Sequence, residues 1–270
     1  MKFLCLIFSL CLVYPSSFAQ SQDDIVKEGF LLYYTEMASW TGTDMLLESF
    51  PEKRDQVGGY FSYSQDHVHT CLFFDKGSPA RVLVSFAFDD RFSHQSAKTD
   101  TVGRLFTSYE QDLYTIRQLA LEELNRDTLF KSYNNSNLNL IPVIQENQKK
   151  VFVLTGPSVG GVIIFGNDYL LTFGSNNKLK TKKALHKNIL TLPYNEETQG
   201  ATGFHNHQPS TGDLITSTDI CTLLLYEKAA GLKQYIVMSE KKVSIWSCEA
   251  DNLLVLDRKA WDKIGNHGKD

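Results

Sequence analysis

The chain has 270 residues, 31 acidic against 27 basic side chains for a formal charge of −4, and 42% hydrophobic content. That composition belongs to a globular protein with enough chain for one large core or two smaller ones, and it excludes a disordered polyelectrolyte, a collagen and a coiled coil. The acidic balance, with Lys and Arg scattered along the chain, argues against a nucleic-acid partner, because displacing counterions from phosphates takes a basic excess.

Residues 1–19 read as a secretory signal: Lys2, an apolar run over 3–14, then Ser17-Phe18-Ala19 as a small-x-small cleavage site. A secreted or periplasmic product is expected. After the leader no apolar run approaches about eighteen residues, so no membrane span is expected once it is cleaved. Cys5 and Cys11 leave with the leader, and Cys71, Cys221 and Cys248 remain. An odd count rules out a disulfide scaffold. A Cys221–Cys248 bridge can be drawn, but apolar neighbours on both sides read better as buried thiols.

Residues 25–38 carry a helix-like, aromatic-rich pattern that ends near Trp40-Thr41-Gly42. Alternating runs at 60–63, 70–74 and 81–88, with the turn Asp75-Lys76-Gly77-Ser78-Pro79 between the last two, predict a strand meander. Leu113, Ile116, Ala120 and Leu124 recur at helical spacing within 109–125, so one face of that helix is expected to be buried. The segment 131–137 has the composition of a connection. The expected organisation is an α+β domain over 20–138 of unassigned role, followed by an α/β domain over 139–270.

In the second part, strands are expected at 151–154 and 161–165, with Gly166-Asn167-Asp168 as a hairpin turn into a strand at 169–173. The basic stretch 178–187 reads as a solvated loop or helix face, and its His186 lines a site only if the loop folds inward. A strand at 189–192 follows. Thr216-Ser217-Thr218-Asp219 then opens an apolar helix over 220–230, closed by Gly231 in the C′ position, and strands at 234–238 and 242–246 complete the core.

The chemistry concentrates between residues 205 and 219. On a strand, positions two apart face the same way, so His205 and His207 can offer two imidazoles to one point. Asp219, in the first turn of the next helix, adds a carboxylate. Two imidazoles and one carboxylate leave a tetrahedral zinc with a fourth place for water, as hydrolysis requires. Each piece also has a plainer reading. The histidines can be exposed strand residues, and Thr216-x-x-Asp219 is an ordinary helix-capping pattern. A second same-face pair, in Asp66-His67-Val68-His69, reads as an exposed strand edge.

The run His205-Asn206-His207 followed by Thr216-Ser217-Thr218-Asp219-Ile220-Cys221-Thr222 resembles the JAMM (MPN+, JAB-like) metalloprotease signature, a His-x-His pair, seven residues, then Ser-x-x-Asp opening a helix. Here eight residues separate His207 from Thr216, and Thr stands where the family has Ser. A second register, Ser210-Thr211-Gly212-Asp213, restores Ser-x-x-Asp but puts the acid in a turn; Asp219 is preferred because it opens a helix. The resemblance covers about residues 141–260. It implies a three-layer α/β/α fold of cytidine-deaminase-like arrangement, Zn2+ at His205, His207 and Asp219, and cleavage of amide or isopeptide bonds in a peptide or protein. It also implies a general base upstream, a role that falls to Glu146, and an oxyanion donor, the role Thr216 inherits. A non-catalytic MPN-like scaffold and a zinc sensor without turnover are the alternatives.

Overall fold

The fold is that of a computed structural model describing residues 20–266. The expected leader lies outside the described residues. The architecture is mixed α/β. A long first helix, α1 (Gln22–Ser49), precedes an antiparallel meander of β1 (Val57–Gln65), β2 (Val68–Asp75), β3 (Val82–Phe88) and the short β4 (Lys98–Asp100). Helix α2 (Ser108–Arg126) leads to a second antiparallel sheet, whose order is β5 (Ser136–Gln145), β6 (Gln148–Pro157), β8 (Tyr169–Phe173) and β9 (Leu179–Ala184). Between them in sequence, β7 (Val162–Gly166) leaves this sheet to pair with β10 (Ile189–Pro193). The last sheet is β11 (Thr202–Asn206), β12 (Gln234–Met238), β13 (Lys242–Ser247) and β14 (Asn252–Asp257), followed by α4 (Arg258–Asn266). Strands β11 and β12 are parallel, and α3 (Ser217–Ala230) makes the crossover between them.

The meander and the amphipathic helix α2 lie where the period predicts them. On α2, Leu113, Ile116 and Ala120 are buried, and Ile116 and Ala120 pack on Val151, Val153 and Leu171 of the second sheet. Thr107 and Glu110 close a capping box at its start, satisfying amides that the first turn leaves without partners.

Two expectations are corrected, and the residue at which a domain boundary is expected lies within a strand. Helix α1 does not stop at Gly42 but runs on to Ser49. Gly42 is retained inside it because the helix crosses β2 so closely that a Cβ there would stand 2.7 Å from Cys71 Cβ. Position 138, expected between two domains, falls inside β5, which pairs with β6 from Ser136 to Gln145. And Gly166-Asn167-Asp168 is not a hairpin: the turn forms, with φ of 85° at Gly166 and 57° at Asn167, but it sends β7 and β8 into different sheets.

The two halves also share cores through α1. Its Ile25 lies in one cluster with Ile220, Leu223 and Trp246; its Leu32 in another with Ile141, Phe152 and Cys221; its Ala38 and Leu46 in a third with Phe73 and Phe86. One helix thus covers surface contributed by both ends of the chain. Cys71, Cys221 and Cys248 are buried free thiols. Among the described residues no helix is long and apolar enough to cross a membrane.

Candidate metal centre

Strand β11 carries His205, and His207 follows just past its end, where the His207 amide still donates to Met238 O at 2.8 Å and so prolongs the parallel ladder. The rings face the same side, with centroids 4.9 Å apart. The β11–α3 crossover brings the first turn of α3 beneath them. Asp219 there is buried, and its Oδ2 lies 3.3 Å from His207 Nε2 while its Oδ1 lies 3.9 Å from His205 Nε2.

A third imidazole completes the group. His186 is 9% exposed, not solvated, and its Nε2 is 3.4 Å from both Asp219 Oδ2 and His207 Nε2. Its position follows from the turn between β7 and β8. Gly166, with φ of 85°, lets the backbone meet the segment after β9 so closely that a Cβ would be 2.3 Å from Asn188 O. Asn167 N donates to Asn188 O, and Leu185 N donates to Asp168 O, so residues 185–188 are folded inward against that turn. The basic residues on both sides of His186 suggested a wholly solvated segment. Lys180 and Lys183 of β9 do face solvent, but the strand ends at Ala184 and the reversal begins there.

One donor atom from each of His186, His205, His207 and Asp219 lies within 4.8 Å of all the others, so the cluster can hold a metal ion. The surroundings fit that use. His205 Nε2 and Asp219 Oδ1 are buried without a hydrogen-bond partner, a costly condition unless something electrophilic sits between them. Behind the donors, Tyr235 Oη is 3.1 Å from His205 Nδ1, and the carboxylate of buried Asp168 is 3.5 Å from His186 Nδ1. The Tyr235 contact fixes the His205 ring and leaves its Nε2 for the ion, while Asp168 faces His186 Nδ1 as a charge partner without a hydrogen bond. Asp168 is itself held by the Thr155 amide, which donates to Oδ1 at 2.9 Å.

The charges of the cluster are strongly shaped by its burial. Burial alone would drive His186 neutral, but Asp219 and Asp168 on either side outweigh it and push its pKa up to about 10. For His205 burial prevails over Asp219, aided by the other two imidazoles, and its pKa falls to about 4. Burial would raise Asp219, yet His186 and His205 hold it well below the ordinary carboxylate range. The helix N-terminus adds to that preference for the anion.

The plain and the chemical readings of Thr216-x-x-Asp219 coincide on one carboxylate. Asp219 Oδ2 accepts from Thr216 N at 3.0 Å and from Thr216 Oγ1 at 2.7 Å, while Asp219 N donates back to Thr216 Oγ1. The Thr216 hydroxyl proton is therefore engaged in the cap, and Thr216 lines a different depression from the imidazoles. Glu146 is not brought to the cluster. It occupies the tight turn between β5 and β6 with φ of 49°, exposed, beside Gln145 and Gln148. Asp213, the other register's acid, meets Ser239 and Lys241. The three imidazoles, but not Asp219, border a small cleft of ≈ 90 Å³ whose rim includes Phe165, Lys187, Asn188 and Gln208. The second histidine pair does not form an exposed edge. His67 is exposed in a turn, but His69 is buried under Tyr34 and Phe92.

Compared with protein-family models, with curated proteins and with solved structures, the chain matches none.

Proposed function

We propose that this chain is a zinc-binding protein whose His186, His205, His207 and Asp219 hold the ion with protein donors alone, in a C-terminal part of JAMM-like layout that binds or senses the metal without turnover. The observation that carries this reading is the fourth donor, His186. A zinc ion with arms of about 2.05 Å requires neighbouring donors about 3.3 Å apart in a tetrahedron. The separations among His186, His207 and Asp219 Oδ2 are 3.3, 3.4 and 3.4 Å, and His205 Nε2 stands 3.9 Å from Asp219 Oδ1. Three imidazoles and a carboxylate suit zinc's borderline softness, and four protein donors are the mark of a closed site. The JAMM-like layout rests on the His-x-His strand beside the Asp-bearing helix start, with α3 and the first turns of α1 packed on Tyr235, Val237 and Trp246.

A hydrolytic reading, zinc-dependent cleavage of an amide or isopeptide bond in a peptide or protein, retains one supporting observation: the imidazoles border a cleft that a substrate can enter. It needs an open coordination place, which His186 occupies in the four-donor reading, and a base, while Glu146 lies in a turn elsewhere. Cobalt substitution separates the two. The four-donor reading expects the intense visible absorption of tetrahedral Co2+ and no cleavage of peptide or isopeptide substrates by the zinc form. Weak absorption of higher coordination together with cleavage that Asp219→Asn abolishes supports the hydrolase instead. A protein that binds neither ion is left with the scaffolding role.

A further inference from the structure

Three neighbouring strands of the first sheet bring a serine, a histidine and an aspartate into one hydrogen-bonded line, separate from the metal cluster. Ser64 of β1 stands directly opposite His69 of β2, and Asp90 follows the end of β3 just beyond Phe88, the other cross-strand neighbour of His69. His69 Nδ1 is 2.9 Å from Ser64 Oγ, and His69 Nε2 is 2.8 Å from Asp90 Oδ1. The tautomer follows from these contacts. An ionised carboxylate only accepts, so Nε2 carries the hydrogen, and Nδ1 keeps a lone pair that accepts from the Ser64 hydroxyl.

The imidazole is fixed in place. It is 2% exposed, stacked on Tyr34 at 4.5 Å and on Phe92 at 5.1 Å. Phe92 has φ of 52°, an uncommon conformation for a bulky side chain, and the turn it closes with Asp89 holds both Asp90 and the Phe92 ring against His69. On the other side Ser64 is half-buried and lines a small cleft of ≈ 80 Å³, with Leu31, Thr35, Tyr63, Tyr109, Ile144 and Gln145 on its walls.

We propose that Ser64 is the nucleophile of a second site, an esterase-type serine centre in which His69 is the general base and Asp90 a positioning residue, and which takes the acyl group of a small apolar ester. Ser64 Oγ bonds to the ester carbonyl carbon as its proton passes to His69 Nδ1. The carbon–oxygen bond to the alcohol then breaks, and the alcohol leaves with that proton. Water attacks the acyl-serine, gives a proton to His69, and releases the carboxylic acid as the proton returns to Ser64. The ring nitrogens are used in the reverse order from the familiar serine triad, but such sites are defined by roles and geometry. Leu31, Val143 and Ile144 offer apolar contact to a short alkyl acyl group, and Thr35, Tyr63 and Gln145 supply polar groups beside it.

A serine that only satisfies a buried histidine would show the same distances without reactivity, so the test is covalent. The full chain is treated with a small alkyl fluorophosphonate and examined by intact mass and peptide mapping. One adduct is expected, on Ser64, absent in Ser64→Ala. Asp90 is 47% exposed, so Asp90→Asn leaves the core intact. It should slow labelling by about 10⁴-fold, the loss seen when a serine triad's carboxylate is neutralised, and shift the pH profile of labelling. No adduct on Ser64 in the folded protein, or a slowing by less than about 100-fold in Asp90→Asn, overturns the proposal.

Discussion

Replacing Asp168 by Asn tests whether the proposed metal centre extends beyond its four candidate donors. Asp168 is 2% exposed, and its Oδ2 faces His186 Nδ1 at 3.5 Å, the longest of the contacts that align that ring. Asn has nearly the same shape and keeps the oxygen that accepts from Thr155 N, so only the charge facing the imidazole is lost. Burial raises the pKa of Asp168 and His186 opposes that rise, so the imidazole helps to hold the carboxylate in its charged form. Removing such a partner of a ligating histidine costs about 10–100-fold in metal affinity, or ~1.4–2.7 kcal/mol. The assay is competition for zinc against a chelator of known affinity at fixed pH, with a thermal scan showing that the variant is folded. His186→Ala, which deletes the donor itself, should cost more than Asp168→Asn. Unchanged affinity in Asp168→Asn would show that His186 is not positioned by this carboxylate.

Other parts of the account make their own predictions. Glu36 is buried in α1, and burial raises its pKa from 4.5 to about 7 despite the Asn139 amide that donates to it. Its folded pKa exceeds its unfolded one, so its contribution is fully present below about pH 4.5 and is lost as pH rises through about 7, a change of ~3 kcal/mol. Glu36→Gln should therefore match wild type in urea unfolding near pH 4 and exceed it by about that amount near pH 8; parallel pH curves would contradict this. Leu32→Ala removes a fully buried side chain through which α1, from the first half, packs on Ile141, Phe152 and Cys221 of the second. It should cost about 2–5 kcal/mol in one unfolding transition, and a second, unshifted transition would show that the halves unfold separately. Glu146→Gly relieves a left-handed conformation in an exposed turn. It should stabilise the fold by up to ~1 kcal/mol and leave zinc affinity unchanged, whereas loss of affinity would return Glu146 to the site.

What could be read from the sequence was mostly what is written locally. The buried face of α2 follows from Leu113, Ile116 and Ala120 at helical spacing, and the start of α3 from its cap and closing glycine. The convergence of His205, His207 and Asp219 was legible for the same reason: a strand fixes two side chains on one face, and a short crossover returns the helix start beneath them. His186 was not legible because its approach depends on how β7 leaves one sheet for another and on the backbone contact between Gly166 and Asn188. No local pattern encodes that. The Lys-rich surroundings report the exposed face of β9, not the turn after it. Glu146 shows the converse failure. An acid just before a strand looked well placed along the chain, but adjacent left-handed residues at 146 and 147 tie it into a hairpin end. Likewise His69, in an alternating polar run, is covered by Tyr34 of the first helix, a partner far away in sequence.

The most direct measurement is metal content. Elemental analysis of the purified full chain, repeated after dialysis against zinc, should find one Zn2+ per chain in the wild type. Separate His186→Ala and Asp219→Ala variants that remain folded should hold far less. Wild-type protein that carries no zinc and takes none up when it is supplied would contradict the four-donor centre.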